Sequence, residues 1–290
     1  MKTTTLILRN SVDDYFFPLV KKEINVYSTY FNKMDYYWYK ILNSFHFDFP
    51  MMLMGWKHEV NKYERIIIFD YGWKPEITEY IKHYNKHCKI HLFFFNVISN
   101  EQHKQMLMDR NIDKYWSFDS DDIMKYGLNY NSPMYTNKIL EVFLNTKQPT
   151  SDVVFVGKAK NREKIINEIQ EICRKYKMKI DFHVIKSEKD YINYMDYMKL
   201  VMNAKCILDI TNENQKGLTL RFMEAIFMSK KIITNNKEIR KYSFYNSDNI
   251  FVLGIDNIAD LNKFILKPYR DIEKKELEYY DINAWIDRFV

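Results

Sequence analysis

Short runs of β-branched and aromatic residues alternate along this chain with longer stretches of helical period. That alternation restricts it to an α/β fold on mainly parallel sheet. Arg65–Phe69 carries Ile66, Ile67 and Ile68 in succession, the unbroken apolar run of a strand covered on both faces. Strands are expected beside it at 5–8, 90–95 and 115–118, with helices at 76–85, where Pro75 suits a first turn, and at 101–110. Residues 18–45, heavily aromatic, read as helical in two pieces. The polar TKQPTS at 146–151 reads as a linker. A second unit follows it, with strands at 153–156, 180–184, 206–210, 231–234 and 249–253. Its helices are expected at 162–175, 191–203 and 218–228, with a charged helical tail at 269–290. Ligands of such sheets bind outside the carboxyl ends of strands, which points to the loops after Leu8, Phe69, Val156 and Ile210.

Glycine usage narrows the function. The 290 residues include six glycines, and the nearest pair, Gly55 and Gly72, stand 17 apart. A dinucleotide fingerprint, a P-loop and the nucleophile elbow of serine esterases all need glycines far closer than that, so all three are excluded. Cys88, Cys173 and Cys206 are scattered, which argues against a disulfide framework or a cysteine-rich zinc site and fits a reducing cytoplasm. The apolar run in MKTTTLILRN is too short for a signal peptide, and no run approaches the ~20 residues of a membrane span. The net charge of +6 is spread along the chain and is compatible with a phosphate-bearing partner or an anionic membrane surface.

The most informative stretch is NQKGLTLRFMEAIFMSKKIIT at 214–234. Gly217 lets the backbone turn tightly into a helix, and Thr219 can cap that helix or contact a ligand. The helix N-terminus offers N–H groups and a partial positive charge, a seat for a diphosphate. Arg221 can add a bidentate phosphate contact. Glu224, three residues on, shares that helical face and can accept both hydroxyls of a ribose. The alternative is a capped helix whose Arg221 and Glu224 pair on the surface. Lys158, Lys160 and Arg162, after the strand at 153–156, can join Arg221 as a phosphate cluster or form a solvated helix start.

QKGLTLRFMEA followed by KKIITNN, with VVFVGKAKNR, NIFVLG and YYDINAWIDRF, resembles the nucleotide-sugar half of GT-B glycosyltransferases encoded in bacterial capsule, exopolysaccharide and lipopolysaccharide clusters. The likeness covers about 151–290; the first half is similar in outline through IIIFDYG and YWSFDSDDIMKYGLNY. It implies an α/β chain of two facing Rossmann-like domains with a C-terminal helix, 1–147 on the acceptor side and 151–290 holding the donor. It implies a hexosyltransferase moving a sugar from a nucleotide-diphosphate donor to a growing bacterial surface glycan, free or lipid-linked. The implied enzyme works without metal, cofactor or nucleic acid, in the cytoplasm and in peripheral contact with the inner membrane face. Position by position, Glu224 matches the glutamate that holds the ribose. Gly217, Leu218 and Thr219 match the backbone turn over the diphosphate, and Gly157, with Lys158 beside it, the loop after the first donor-domain strand; Gln215, Arg221 and Arg162 are further donor-binding candidates. Many retaining members place a second glutamate eight positions before the first; here that position is Lys216.

An inverting member needs a general base near the acceptor hydroxyl. Asp13, Asp14 and Asp70 follow first-half strands, where such a base belongs or where a turn or cap carboxylate serves; His46 is a further candidate or a packing residue. Asp119-Ser120-Asp121 matches the DxD by which GT-A transferases hold Mn²⁺ or Mg²⁺, and equally the N-cap of a helix at 122–126. His83 and His87 are spaced to share a zinc on a helix, with His91 in the next strand, or mark a solvated helix end. The aromatic stretch 27–38 suits sugar stacking, a membrane interface or an amphipathic core helix. Lys216 also motivates a reading from another class, a non-catalytic module that binds glycan or partner proteins.

Overall fold

The computed structural model describes residues 4–9, 24–28, 41, 44, 55–136, 138, 149–212 and 215–290. Asp13, Asp14, His46 and residues 29–38 lie outside them. The chain forms two compact units, Met1–Ser132 with Trp285–Val290, and Pro133–Ala284. The boundary therefore differs from the one expected at the polar linker. The stretch after Pro133 belongs to the second unit because Tyr135 N donates to Tyr280 O at 2.9 Å and Ile282 N donates to Tyr135 O at 2.8 Å.

The first unit holds a six-stranded, wholly parallel sheet: β1 (Thr5–Arg9), β2 (Ile24–Ser28), β3 (Arg65–Phe69), β4 (Lys89–Phe94), β5 (Lys114–Ser117) and β6 (Asn129–Tyr130). Their spatial order is β2-β1-β3-β4-β5-β6. Its helices are α1 (Pro75–Tyr84), α2 (Glu101–Met106) and α3 (Ser120–Tyr126). β2 corrects the helix expected across 18–45. Ile24 and Val26 alternate with Asn25, a period-two pattern that suits an edge strand, and they pair in register with Thr5 and Ile7. Within that span, only Ile41 and Ser44 are described besides β2, and both are helical.

Strand alternation splits the core of this unit between two faces. Leu6, Leu8, Ile66, Ile68, Ile90 and Leu92 pack with Trp56, Ile77 and Ile81 on one face. On the other, Phe69 and Phe93 meet Trp285, with ring centroids 5.7 and 5.0 Å apart, and Trp116 lies 4.9 Å from Phe289. Trp285 Nε1 donates to Ser132 O at 2.7 Å, and Arg288 Nε donates to Asn131 Oδ1 at 2.7 Å. The tail read as merely charged thus completes a buried face, each fully covered ring contributing about 3 kcal/mol.

The second unit repeats the plan. β7 (Ser151–Lys158), β8 (Ile180–Ile185), β9 (Ala204–Asp209), β10 (Lys231–Thr234) and β11 (Ile250–Val252) are all parallel, in the order β11-β10-β9-β7-β8. In both units the first strand lies between the second and the third, so the chain leaves in opposite directions from one point of each sheet. In the second unit that switch point lies between β7 and β9. The helices are α4 (Glu163–Lys175), α5 (Tyr194–Met202), α6 (Leu220–Phe227), α7 (Leu261–Leu266), α8 (Lys274–Tyr280) and α9 (Ile282–Asp287). α4 buries Ile166, Ile169 and Cys173, the stripe its period foretells.

Candidate functional site

At the switch point of the second sheet, the carboxyl ends of β7 and β9 part and two arginines occupy the gap. Arg221, in the first turn of α6, lays its guanidinium across the backbone at Gly157. Its Nε and Nη2 donate to Val156 O at 3.3 and 3.2 Å, and Nη1 lies 3.3 Å from Asp209 Oδ1. The Phe155 ring stands 5.7 Å from the guanidinium carbon. Asp209 is 1 % exposed. Burial pushes its carboxyl up, while Arg221, the Thr219 hydroxyl and Arg162 draw it down.

Gly157 is there because of this contact: a Cβ at that position would stand 2.6 Å from Arg221 Nη2. Gly157→Ala should therefore push the guanidinium off Val156 and weaken its hold on Asp209. The expected cost is about 1–3 kcal/mol, since a buried charged group loses hydrogen-bond partners. Urea unfolding of the variant checks this, and an unchanged midpoint would contradict the close packing at Gly157.

Of the two readings of its cluster, a phosphate contact or a solvated helix start, Arg162 does not take the solvated one. It is buried and donates to Ile210 O, Lys158 O and, at 3.4 Å, Ala159 O, tying the end of β7 to the end of β9. Burial and the charge of Arg221 lower its pKa, with Asp209 opposing. Lys158 is exposed and lines a cavity of about 630 Å³ together with Ile185, Lys186, Ser187 and Tyr191.

Gly217 and Leu218 are buried in the turn before α6, and Gln215 is half-buried. Thr219 caps the helix as its position foretold, Oγ1 accepting from Phe222 N at 3.1 Å. The remaining N–H groups of the first turn have no acceptor within the helix itself. Two asparagines that the sequence motif contained but left without a role brace this turn. Asn236 Nδ2 donates to Lys216 O at 2.9 Å, and Asn235 Oδ1 accepts from Thr211 N at 2.8 Å.

Glu224 is neither exposed to a ligand nor paired with Arg221 at the surface. It is 1 % exposed and accepts a short hydrogen bond from the Tyr197 hydroxyl of α5. Tyr194 also bonds the carboxylate, and its hydroxyl lies 3.0 Å from that of Tyr135. Burial pushes the Glu224 carboxyl up to about 7, against the pull of the tyrosines and Arg221. Sequence reasoning missed these tyrosines. The one available signal was Tyr194 and Tyr197 standing three apart on an expected helix.

In the first unit, Asp70 is 1 % exposed and its oxygens are occupied. Oδ1 accepts from Tyr71 N at 2.9 Å, Oδ2 accepts from Asn96 N and Nδ2 at 3.2 and 3.0 Å, and His103 Nε2 stands 3.7 Å away. Asp70 is thus a loop brace rather than the open base expected of it, because a base must reach the proton it removes. Asp119 is buried and caps α3, accepting from Asp121 N at 3.0 Å, so the DxD takes its helix-cap reading. His91 is buried in β4 and accepts from Trp116 Nε1 at 3.0 Å; burial pushes it down to about 4. Among the described residues, no group of three or more His, Cys, Asp or Glu is placed to hold a metal ion, and no helix is long and apolar enough to cross a membrane.

The chain is similar to several solved structures. An α-glucosyltransferase in complex with UDP and a 13-mer DNA containing a central A:G mismatch matches over 98 % of this chain and 92 % of its own, with a TM-score of 0.53 at 10 % identity. AviGT4, a glycosyltransferase of avilamycin A biosynthesis, matches over 99 % and 96 % with a TM-score of 0.49 at 8 % identity. The lipopolysaccharide outer core galactosyltransferase WaaB, in its apo form, matches over 92 % and 83 % with a TM-score of 0.44 at 12 % identity. No protein-family model matches the chain, and no curated protein does. The fold is that of the α-glucosyltransferase: two α/β units on parallel sheets, the GT-B architecture that the sequence resemblance implied.

Proposed function

We propose that the chain transfers a sugar from a nucleotide-diphosphate donor held on its second unit. One observation carries the reading: a glycine-lined turn, a capped helix N-terminus and Arg221 converge at the switch point of a parallel sheet. Such a place concentrates N–H donors and positive charge on a diphosphate, and stabilises the charge that develops as it leaves. Arg221 has five N–H donors; the contacts given above use three, which leaves two for phosphate oxygens. Arg162 holds the strand ends in place, and Lys158 faces the neighbouring cavity, which is large enough for a nucleoside. The match of Glu224 to the ribose-binding glutamate rests on the sequence resemblance, and a ribose hydroxyl would have to displace that of Tyr197 to reach it. The motif set QKGLTLRFMEA and KKIITNN supports a bacterial surface glycan as acceptor, with work at the inner membrane face.

Thermal unfolding against UDP, GDP, CMP, ADP and dTDP, each with EDTA and with Mn²⁺, tests the donor site. A nucleotide at 100 times its Kd adds about 2.7 kcal/mol, a rise of several degrees for units of this size. A rise with one nucleotide in EDTA is expected, and its sugar conjugate is then assayed for transfer. A rise only with Mn²⁺ would favour a metal-dependent site at Asp119 and Asp121. No rise at all would favour the non-catalytic binding module. Duplex DNA belongs among the acceptors tried, since the α-glucosyltransferase that shares the fold was solved with DNA.

A further inference from the structure

The second unit has another cavity, at the opposite end of its sheet from the phosphate turn, beside the amino ends of β9 and β10. Its volume is about 270 Å³, and Lys205, Lys230, Lys231, Leu266, Lys267 and Tyr269 contribute to its wall. Two of the four ammonium groups have carboxylates: Lys205 Nζ lies 2.8 Å from Asp152 Oδ1, and Lys267 Nζ 2.8 Å from Asp248 Oδ1.

The other two are held by carbonyl oxygens. Lys230 Nζ donates to Met202 O at 2.7 Å and Ala204 O at 2.8 Å. Lys231, which is buried, donates to Asp248 O at 2.8 Å and to Phe264 O. Burial pushes Lys230 down to about 8, with no acidic neighbour to oppose it. Four cations around one cavity thus face the two paired carboxylates and the charge of Asp271, which acts on Tyr269.

Hydrogen bonding leaves the same surplus. An ammonium has three N–H donors, and the carbonyls take two from each of Lys230 and Lys231, leaving one apiece, with the Lys231 ammonium also 4.5 Å from the centroid of the Phe264 ring. The Tyr269 hydroxyl is buried and has no hydrogen-bond partner among the described residues. Spare donors and spare positive charge in one place call for a multivalent oxyanion, since uncompensated buried cations and unsatisfied buried donors are both costly. Leu266, on the same wall, is 67 % exposed and offers an apolar contact beside the charge.

We propose that this cavity binds a phosphate ester, with Lys230, Lys231 and Tyr269 donating to the phosphate oxygens and Lys205 and Lys267 at their carboxylates completing the positive wall. A lipid headgroup and a soluble phosphate ester share that chemistry. The proposal is independent of the donor reading.

The test uses the whole chain in two arms. In the first, inorganic phosphate should raise the unfolding temperature above that in sodium chloride of equal ionic strength. The apparent Kd for phosphate should weaken at least tenfold in Lys230→Met and severalfold in Tyr269→Phe. The second variant removes a hydroxyl that makes no bond, so the fold is not at risk. A phosphate response that is absent, or equal in wild type and both variants, would overturn the site. In the second arm, co-sedimentation with phosphatidylglycerol–phosphatidylcholine vesicles is compared with phosphatidylcholine alone. Capture by the anionic vesicles that Tyr269→Phe and Lys230→Met weaken supports a headgroup; a phosphate response without capture supports a soluble ester.

Discussion

Arg221→Met should cost the second unit about 3–5 kcal/mol, because it strands Asp209 as a buried carboxylate without its cation. The sign of the pH dependence follows. Without Arg221, the Asp209 pKa in the folded state rises further above its unfolded value. Stability is then retained at low pH and lost as pH rises through the folded pKa, so the variant should be weaker at pH 8 than at pH 5. Urea midpoints at the two pH values measure this. Adding Asp209→Asn should recover at least 1 kcal/mol, the coupling expected of residues in direct contact. Nucleotide-dependent stabilisation should not return with it, since the restored fold still lacks the phosphate-facing guanidinium. A loss below 1 kcal/mol for Arg221→Met would refute the pairing.

Glu224→Gln should have the opposite effect on stability. The folded carboxyl titrates near 7 against a reference of 4.5, so its contribution is favourable below pH 4.5 and is lost as pH rises through 7. That interval is worth roughly 3 kcal/mol. Glutamine keeps an acceptor for Tyr197 and never ionises. The variant should gain about 2 kcal/mol at pH 8, several degrees in Tm, and nothing at pH 4. The nucleotide response should fall in the same variant, because a neutral amide is a poorer acceptor for two ribose hydroxyls. Equal stability of variant and wild type at pH 8 would show that the buried carboxylate carries no such penalty. An undiminished nucleotide response would remove Glu224 from the ribose site.

Much of the fold is legible in local sequence because parallel strands announce themselves. Arg65–Phe69 and Lys231–Thr234 form at the bounds their apolar runs set, and Pro75 opens α1 at its first position. Thr219 is legible for the same reason: a cap acts within three residues of itself. What failed to show depends on partners distant in sequence. β2 is an edge strand whose identity comes from pairing with β1, and its aromatic neighbourhood masks the two-residue period. Arg162 looks like any basic residue at a helix start, because its acceptor Ile210 O is 48 positions away. Glu224 lies on the helical face its spacing foretold, yet the hydroxyls that enclose it come from α5 and Tyr135, which no motif connects to it. Asp70 and Asp119 stand after strands where a base and a metal ligand, respectively, were sought, and serve there to tie down backbone N–H groups.

The return of Trp285–Val290 to the first unit has a consequence for biosynthesis. Every residue of Pro133–Ala284 is translated between the first unit's sheet and the tail that covers it. At about 5–20 residues per second, that interval lasts roughly 8–30 s. Throughout it, Phe69, Phe93 and Trp116 have no Trp285 or Phe289 to cover them, and the second unit's own sequence is complete only at its end. The nascent chain therefore carries an open aromatic face on the first unit for as long as the second is being made, the stage at which it most needs a chaperone.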